Sequence, residues 1–132
     1  MRVLDGRILT KFEDIPKIAA EIGKIKGVKA VYLFGSHARM KMHALSDIDI
    51  CIIGRLNERG KLDVLKWASG NLDISFFEDL PLQIQFRVLK EGKPLAMNDS
   101  EAIRSITLAV LREYLDYTAF IENFYRRVIK NV

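Results

Sequence analysis

The sequence is poor in the residues on which several specialised protein classes depend. It has one cysteine, Cys51, so no disulfide can form within the chain, and this indicates a reducing compartment. Its two histidines, His37 and His43, have no cysteine or histidine at the spacing of a zinc site. The three prolines and eight glycines form no cluster, so no linker divides the chain. These absences argue against a disulfide scaffold, a zinc module and a low-complexity protein.

Long apolar runs are also missing. No window approaches the run of about 18 apolar residues that a membrane-spanning helix needs. Charged residues interrupt the first ten positions, where a signal peptide would be apolar. We therefore expect a cytoplasmic protein with no membrane partner.

The net charge is +4 with a pI near 9.3, which suits a polyanionic ligand such as a triphosphate. The basic residues are scattered, however, and no basic stripe with interleaved aromatic residues occurs. We therefore do not expect a dedicated nucleic-acid surface.

What is present is typical of one compact domain. The chain has 132 residues, of which 49% are apolar, and this is enough to bury a core without disulfides or a structural metal. Apolar patterns of helical and strand period alternate along it, which predicts an α/β fold with a small mixed sheet flanked by helices. We expect a single domain over residues 1–132.

The last third of the chain predicts one long helix, from about residue 99 to 130. Its apolar residues recur at spacings of three and four, and Asn98 with Glu101 can cap its start. Such a helix would be about 45 Å long, which exceeds the width of a domain of this size. We expect it either to bend into two pieces or to project its end towards a partner.

Three aspartates lie on predicted strands. Asp47 and Asp49 are two residues apart in SDIDICII, so both point to one face while the intervening isoleucines point to the core. Two carboxylates about 6–7 Å apart repel each other unless a cation lies between them. One or two Mg²⁺ ions, which prefer oxygen ligands, would suit this arrangement. If the next strand, residues 72–77, pairs beside it, Asp73 stands next to the pair and can accept a proton.

A turn that can hold phosphate precedes these aspartates. Gly35 and Ser36 follow a predicted strand at residues 28–34 and open a turn towards a short helix. Glycine allows close approach of the backbone, and N–H groups at a helix start donate to phosphate oxygens. Arg39, one turn further on, could meet the triphosphate as a bidentate donor.

Two segments, GSHAR at residues 35–39 and SDIDI at residues 46–50, are followed by Asp73 on a later predicted strand. This pattern resembles the polymerase-β-like nucleotidyltransferase superfamily. It is most similar to the superfamily's smallest branch, the minimal nucleotidyltransferases (MNT). The resemblance implies the fold of that superfamily. It also implies that Asp47, Asp49 and Asp73 are catalytic and bind metal, two Mg²⁺ ions being expected. Nucleotide binding would then fall to Gly35, Ser36, Arg39 and Ser46.

The resemblance further implies a partner. Many minimal nucleotidyltransferases resemble the antitoxin half of a two-gene system, in which a helical HEPN toxin is silenced by attachment of AMP to a tyrosine. The expected activity is therefore Mg²⁺-dependent transfer of AMP from ATP to a hydroxyl of a HEPN-type toxin.

Two alternatives stay open at this stage. The same chemistry could act on a small molecule or an RNA end, with a pocket formed by a possible homodimer. Alternatively, the chain could be a non-catalytic antitoxin that binds and occludes its partner. A cysteine or serine nucleophile assembled from Cys51 and the histidines has no supporting pattern.

Overall fold

The computed structural model describes residues 2–4, 7–35 and 47–130. Its strands are β1 (Arg2–Leu4), β2 (Arg7–Leu9), β3 (Val28–Phe34), β4 (Ile48–Gly54), β5 (Leu72–Phe76) and β6 (Lys93–Met97). Its α-helices are α1 (Ile15–Gly23), α2 (Glu58–Leu65), α3 (Leu82–Glu91) and α4 (Ser100–Lys130).

Four strands form a mixed sheet in the order β5–β4–β3–β6. β3 pairs antiparallel with both β4 and β6, whereas β4 pairs parallel with β5. β1 and β2 form a separate antiparallel pair. The predicted α/β class, with a small mixed sheet flanked by helices, is confirmed.

Each face of the sheet is covered by a different set of helices, because successive residues of a strand point to opposite faces. Ile48, Ile50 and Ile52 of β4 pack into a core cluster that contains the buried side of α1 and Val64 of α2. Cys51 of the same strand packs into a second cluster with buried residues of α3 and α4. β4 is therefore buried on both faces along most of its length, and near its start only the half-buried Asp49 can line a site.

The edge strand β6 is not predicted by the sequence pattern, because Gly92 and Pro94 are typical of a turn. The structure ends α3 at Glu91 and then pairs residues 93–97 with β3. Proline is tolerated here because an edge strand has a neighbour on one side only.

The long helix is confirmed as a single 31-residue element, α4, which is about 46 Å long. The first part of the helix is packed, since Ile103 and Val110 are buried. The rings of Tyr114 and Phe86 meet edge-on, with their centroids 4.0 Å apart. Every residue from 115 to 130 is exposed. The helix therefore extends well past the elements that cover it.

No helix in the described part of the chain is long and apolar enough to cross a membrane.

The predicted cap of this helix is wrong by one residue. Asp99, not Asn98, caps α4, since its Oδ1 accepts the backbone N–H of Ala102 at 3.0 Å. The Asn98 amide instead donates to the carbonyls of Gly23 and Val28, which lie 70 or more residues away in sequence. Asn98 therefore joins β6 to the turn between α1 and β3, a tertiary role that sequence spacing cannot show.

Replacing Asp99 with alanine is expected to lower the melting temperature by a few degrees, because α4 loses its cap and Lys29 loses its ion pair. The N–H of Ala102 and then Lys29 hold the pKa of Asp99 below its ordinary value of 3.8. Its contribution is therefore fully present above pH 3.8 and is lost as the pH falls through the lower folded-state pKa. Thermal melts of the variant and wild type should converge in that acidic range. Asp116→Ala, at an exposed position of α4, is the control, and an equal loss there would contradict the capping role.

Candidate functional site

The parallel pairing of β4 with β5 brings the sequence-predicted aspartates together. Asp49 of β4 lies directly beside Asp73 of β5 in the register. Adjacent strands are about 4.8 Å apart, so the two carboxylates project side by side from one face. Asp47 immediately precedes β4 and contributes to the same place. All three line one cleft of about 350 Å³, whose remaining walls are Ser69, Gly70, Asn71 and Leu72.

The isoleucines next to these aspartates hold the strands in place. Ile48 and Ile50 are buried on the face of β4 opposite Asp49, and Leu72 is buried on the corresponding face of β5. Asp49 is half-buried, whereas Asp47 and Asp73 are exposed. A buried apolar residue thus alternates with an exposed or half-buried carboxylate, which fixes the backbone while the acids line the cleft.

The cleft is strongly acidic. Its described lining residues include three carboxylates and neither lysine nor arginine. Carboxylates that share a cleft repel one another, and a divalent cation between them would relieve the repulsion. Within the described ranges, no group of three histidine, cysteine, aspartate or glutamate side chains is arranged to hold a metal ion. Mg²⁺ characteristically keeps water and phosphate oxygens in its shell, so two carboxylates in such a cleft suit it chemically.

Gly35 follows the last residue of β3 and lies next to Asp49, one of the cleft aspartates. Its φ of +80° lies in the left-handed region that favours glycine. A Cβ atom placed on this residue would lie 2.9 Å from Oδ2 of Asp49. The glycine is therefore required twice, for its backbone conformation and for the close approach of the Asp49 carboxylate. The sequence predicts close approach to a phosphate here, and the observed neighbour is the carboxylate.

The remaining predicted nucleotide-binding residues are Ser36, Arg39 and Ser46. They lie outside the described residues, and their roles stay predictions.

A polar clamp that the sequence does not predict supports the cleft wall. The side chain of Asn71, 5% exposed, accepts the backbone N–H of Thr10 at 2.6 Å and donates to its carbonyl at 2.7 Å. The Asn71 carbonyl accepts the N–H of Ile48 at 2.7 Å. The hydroxyls of Thr10 and Ser69 lie 2.7 Å apart. This clamp, formed by Thr10, Ser69 and Asn71, ties the segment after β2 to the strands that carry Asp49 and Asp73. Gly70–Asn71 reads as an ordinary turn in sequence, so no local signal marks it.

Cys51 does not behave as a nucleophile. It is fully buried in the second core cluster, and burial raises the pKa of its thiol to about 12. Since the thiolate is the reactive form, Cys51 is a packing residue.

Gly35→Ala is expected to lower the free energy of unfolding by about 1–3 kcal/mol, because alanine is strained at this φ and its methyl crowds Asp49. Urea unfolding measures the loss. Gly23→Ala is the matched control, since the added methyl would make an ordinary contact with Ala96 at 3.4 Å. Equal unfolding midpoints for Gly35→Ala and wild type would show that the turn is not constrained.

Asn71→Ala is expected to lower the free energy of unfolding by about 2–4 kcal/mol, because the N–H and C=O of Thr10 would be left buried without their partners. Hydrogen exchange should also show faster exchange at the start of β5. Asn123→Ala, on the exposed end of α4, serves as the control. If Asn71→Ala lowered the free energy of unfolding no more than Asn123→Ala does, the clamp would be ruled out.

The family model described as polymerase beta nucleotidyltransferase matches residues 16–101, which contain all three cleft aspartates. A protein of Methanocaldococcus jannaschii that carries the provisional name protein adenylyltransferase is 34% identical over 74 residues. That match covers 56% of this chain, and this chain spans 60% of the relative's length.

Solved structures share the fold at low sequence identity. A chain from a toxin–antitoxin structure with AMP-PNP has a TM-score of 0.67 at 17% identity, covering 86% of this chain and 98% of that one. A chain from the Shewanella oneidensis complex of a tri-AMPylated HEPN toxin with an MNT antitoxin has a TM-score of 0.60 at 17% identity. That match covers 89% of this chain and 94% of that one. The fold predicted from the motifs is confirmed. With most of its length matched by the family model and its aspartates in one cleft, the chain belongs to the polymerase beta nucleotidyltransferase family.

Proposed function

We propose that this chain transfers AMP from ATP to a hydroxyl group of a partner protein, a HEPN-type toxin, and thereby acts as an antitoxin. The acceptor is a tyrosine side chain, and the reaction requires Mg²⁺. The observation that carries the proposal is the register of β4 and β5, which places Asp73 beside Asp49 in an open acidic cleft.

Each residue of the cleft has a distinct task. Asp47 and Asp49 hold Mg²⁺, and Asp73 supports the same site. Bound Mg²⁺, as one or two ions, would neutralise charge on the triphosphate and on the leaving pyrophosphate. The triphosphate is bound by Gly35 and by three residues that follow it in sequence, Ser36, Arg39 and Ser46. The openness of the cleft to solvent at Asp47 and Asp73 leaves room for an acceptor as large as a protein side chain.

The bonds that change in this reaction are few. The acceptor oxygen attacks the α-phosphorus of ATP, and the bond from that phosphorus to the oxygen bridging to the β-phosphorus breaks. Pyrophosphate leaves with the bonding electrons. A carboxylate oxygen of Asp73 accepts the proton of the hydroxyl, which it can do because it faces the cleft. The product is a phosphodiester that joins AMP to the acceptor.

The choice of a protein acceptor is supported by the relatives. The M. jannaschii relative is named for adenylylation of protein. The S. oneidensis structure pairs an MNT antitoxin with an AMPylated HEPN toxin, and another neighbour holds an ATP analogue. These similarities favour transfer to a protein over transfer to a small molecule or an RNA end.

Asp49→Asn is expected to reduce AMP transfer by about 100-fold or more, because it removes an anionic ligand that would hold Mg²⁺ against the triphosphate. Asp73→Asn should reduce it to a similar extent. The assay incubates ATP labelled at the α-phosphate, Mg²⁺, this protein and the product of the adjacent gene, and follows label on that product. EDTA should abolish the transfer.

Asp116→Asn is the matched control, since it removes an exposed carboxylate on α4 far from the cleft. Mapping the labelled residue by mass spectrometry tests the tyrosine. If no label moves while the two proteins form a tight complex, transfer to this partner is wrong. If Asp49→Asn then still neutralises the toxin, the chain acts by occlusion.

A further inference from the structure

The clamp formed by Thr10, Ser69 and Asn71 holds the cleft where both of its strands begin. The N–H of Ile48, the first residue of β4, donates to the Asn71 carbonyl at 2.7 Å. The N–H of Leu72, the first residue of β5, donates to the Ser69 hydroxyl at 3.1 Å, and the Leu72 carbonyl accepts the Ser69 N–H at 3.2 Å. Ile48 and Leu72 lie opposite each other in the parallel register. The clamp therefore fixes the first residue pair of the β4–β5 ladder.

The cleft aspartates are the immediate neighbours of this first pair. Asp47 precedes Ile48 and Asp49 follows it, and Asp73 follows Leu72. Asp49 and Asp73 are the next pair in the register. A backbone shift at the first pair would change the distances between the carboxylates, because only one peptide unit separates each aspartate from that pair.

The Ser69 hydroxyl has no capacity left for a ligand, although Ser69 lines the cleft. A hydroxyl has one proton and two lone pairs. The Ser69 hydroxyl donates its proton to Oδ1 of Asn71 at 3.1 Å, and one lone pair accepts the Leu72 N–H. The Thr10 hydroxyl, 2.7 Å away, then donates to the second lone pair. Ser69 is therefore fully bonded within the protein and acts on the cleft only through the backbone.

The bonds between Asn71 and Thr10 are shielded from water. The Asn71 amide accepts the Thr10 N–H and donates to the Thr10 carbonyl, and the two residues are 5% and 0% exposed. A buried polar group that loses its partner is costly, so each of these bonds resists displacement. Such a support is what a cation site needs, because its ligands must keep a fixed geometry.

We propose that Thr10 and Ser69 are positioning residues, which act with Asn71 to set the spacing of the cleft carboxylates for a divalent cation. The inference rests on the proposed function, since it takes the carboxylates to bind Mg²⁺. It adds that affinity for the cation depends on hydrogen bonds among residues that are not its ligands. Residues that orient metal ligands in this way typically contribute about 10- to 100-fold to metal affinity.

The test measures binding of Mn²⁺, which takes the same oxygen ligands as Mg²⁺ and is followed by electron paramagnetic resonance of the free ion. The full chain is titrated without ATP or partner, at a temperature at which circular dichroism shows every variant to be folded. Ser69→Ala and Thr10→Val should each raise the Mn²⁺ dissociation constant about tenfold, because each removes one hydroxyl of the clamp. Thr10→Ser keeps the hydroxyl and should bind Mn²⁺ as the wild type does. Asp49→Asn, which removes a ligand, should weaken binding at least as much as the clamp variants.

Val110→Ala is the control for loss of stability. Val110 is buried in the second core cluster with residues of α3, so its truncation leaves a cavity away from the clamp. This variant should lower the melting temperature and leave the Mn²⁺ dissociation constant unchanged.

Unchanged Mn²⁺ binding in Ser69→Ala and Thr10→Val would overturn the proposal, because the clamp would then only stabilise the fold. Equal weakening in Val110→Ala would also overturn it, since any loss of stability would then loosen the site. A wild type that binds no Mn²⁺ would leave nothing to position and would overturn the proposed metal site as well. Normal Mn²⁺ binding without transfer of AMP to the partner would count against the proposed function alone, and the dissociation constants of the variants would still decide the role of the clamp.

Discussion

The parallel pairing between β4 and β5 is the contact on which the site depends. It sets Asp49 against Asp73, and the alternation of side chains along both strands then places the acids on one face and isoleucine and leucine on the other. A slip of one residue would turn the carboxylates of one strand towards the core. Burial of Ile48, Ile50 and Leu72 therefore fixes the register, and the register assembles the acidic cleft.

Contacts from distant parts of the chain keep this arrangement in place. The Asn71 side chain bonds to a backbone N–H and a backbone C=O as another backbone would, and it joins the start of β5 to Thr10, 61 residues earlier. Gly35 ends β3 in a conformation that leaves space for the Asp49 carboxylate. The core beneath is made of apolar packing, whereas the rim of the cleft is held by hydrogen bonds and by one glycine. The backbone that carries the three cleft carboxylates is thus anchored by both kinds of contact.

The two halves of α4 differ in their packing. Its first half completes the core on the face of the sheet opposite α1, with Ile103 and Val110 buried. Its second half repeats similar apolar spacings, but every residue from 115 to 130 is exposed.

Much of this molecule follows from the sequence by itself. Local periodicity determined the main helices and the strands β3, β4 and β5, and the spacing of Asp47 and Asp49 in a β-branched run determined that both acids share a face. The family also follows from GSHAR and SDIDI, since these short segments carry the motif. Tertiary structure alone decided the rest. It decided that β5 pairs parallel to β4 and that Pro94 lies in a strand. It also decided that Asp99 caps α4, while Asn98 bonds to Gly23 and Val28. It also decided that Asn71 is a buried clamp. In each case the partner is tens of residues away, and a pattern read over one turn or one strand holds no information about it.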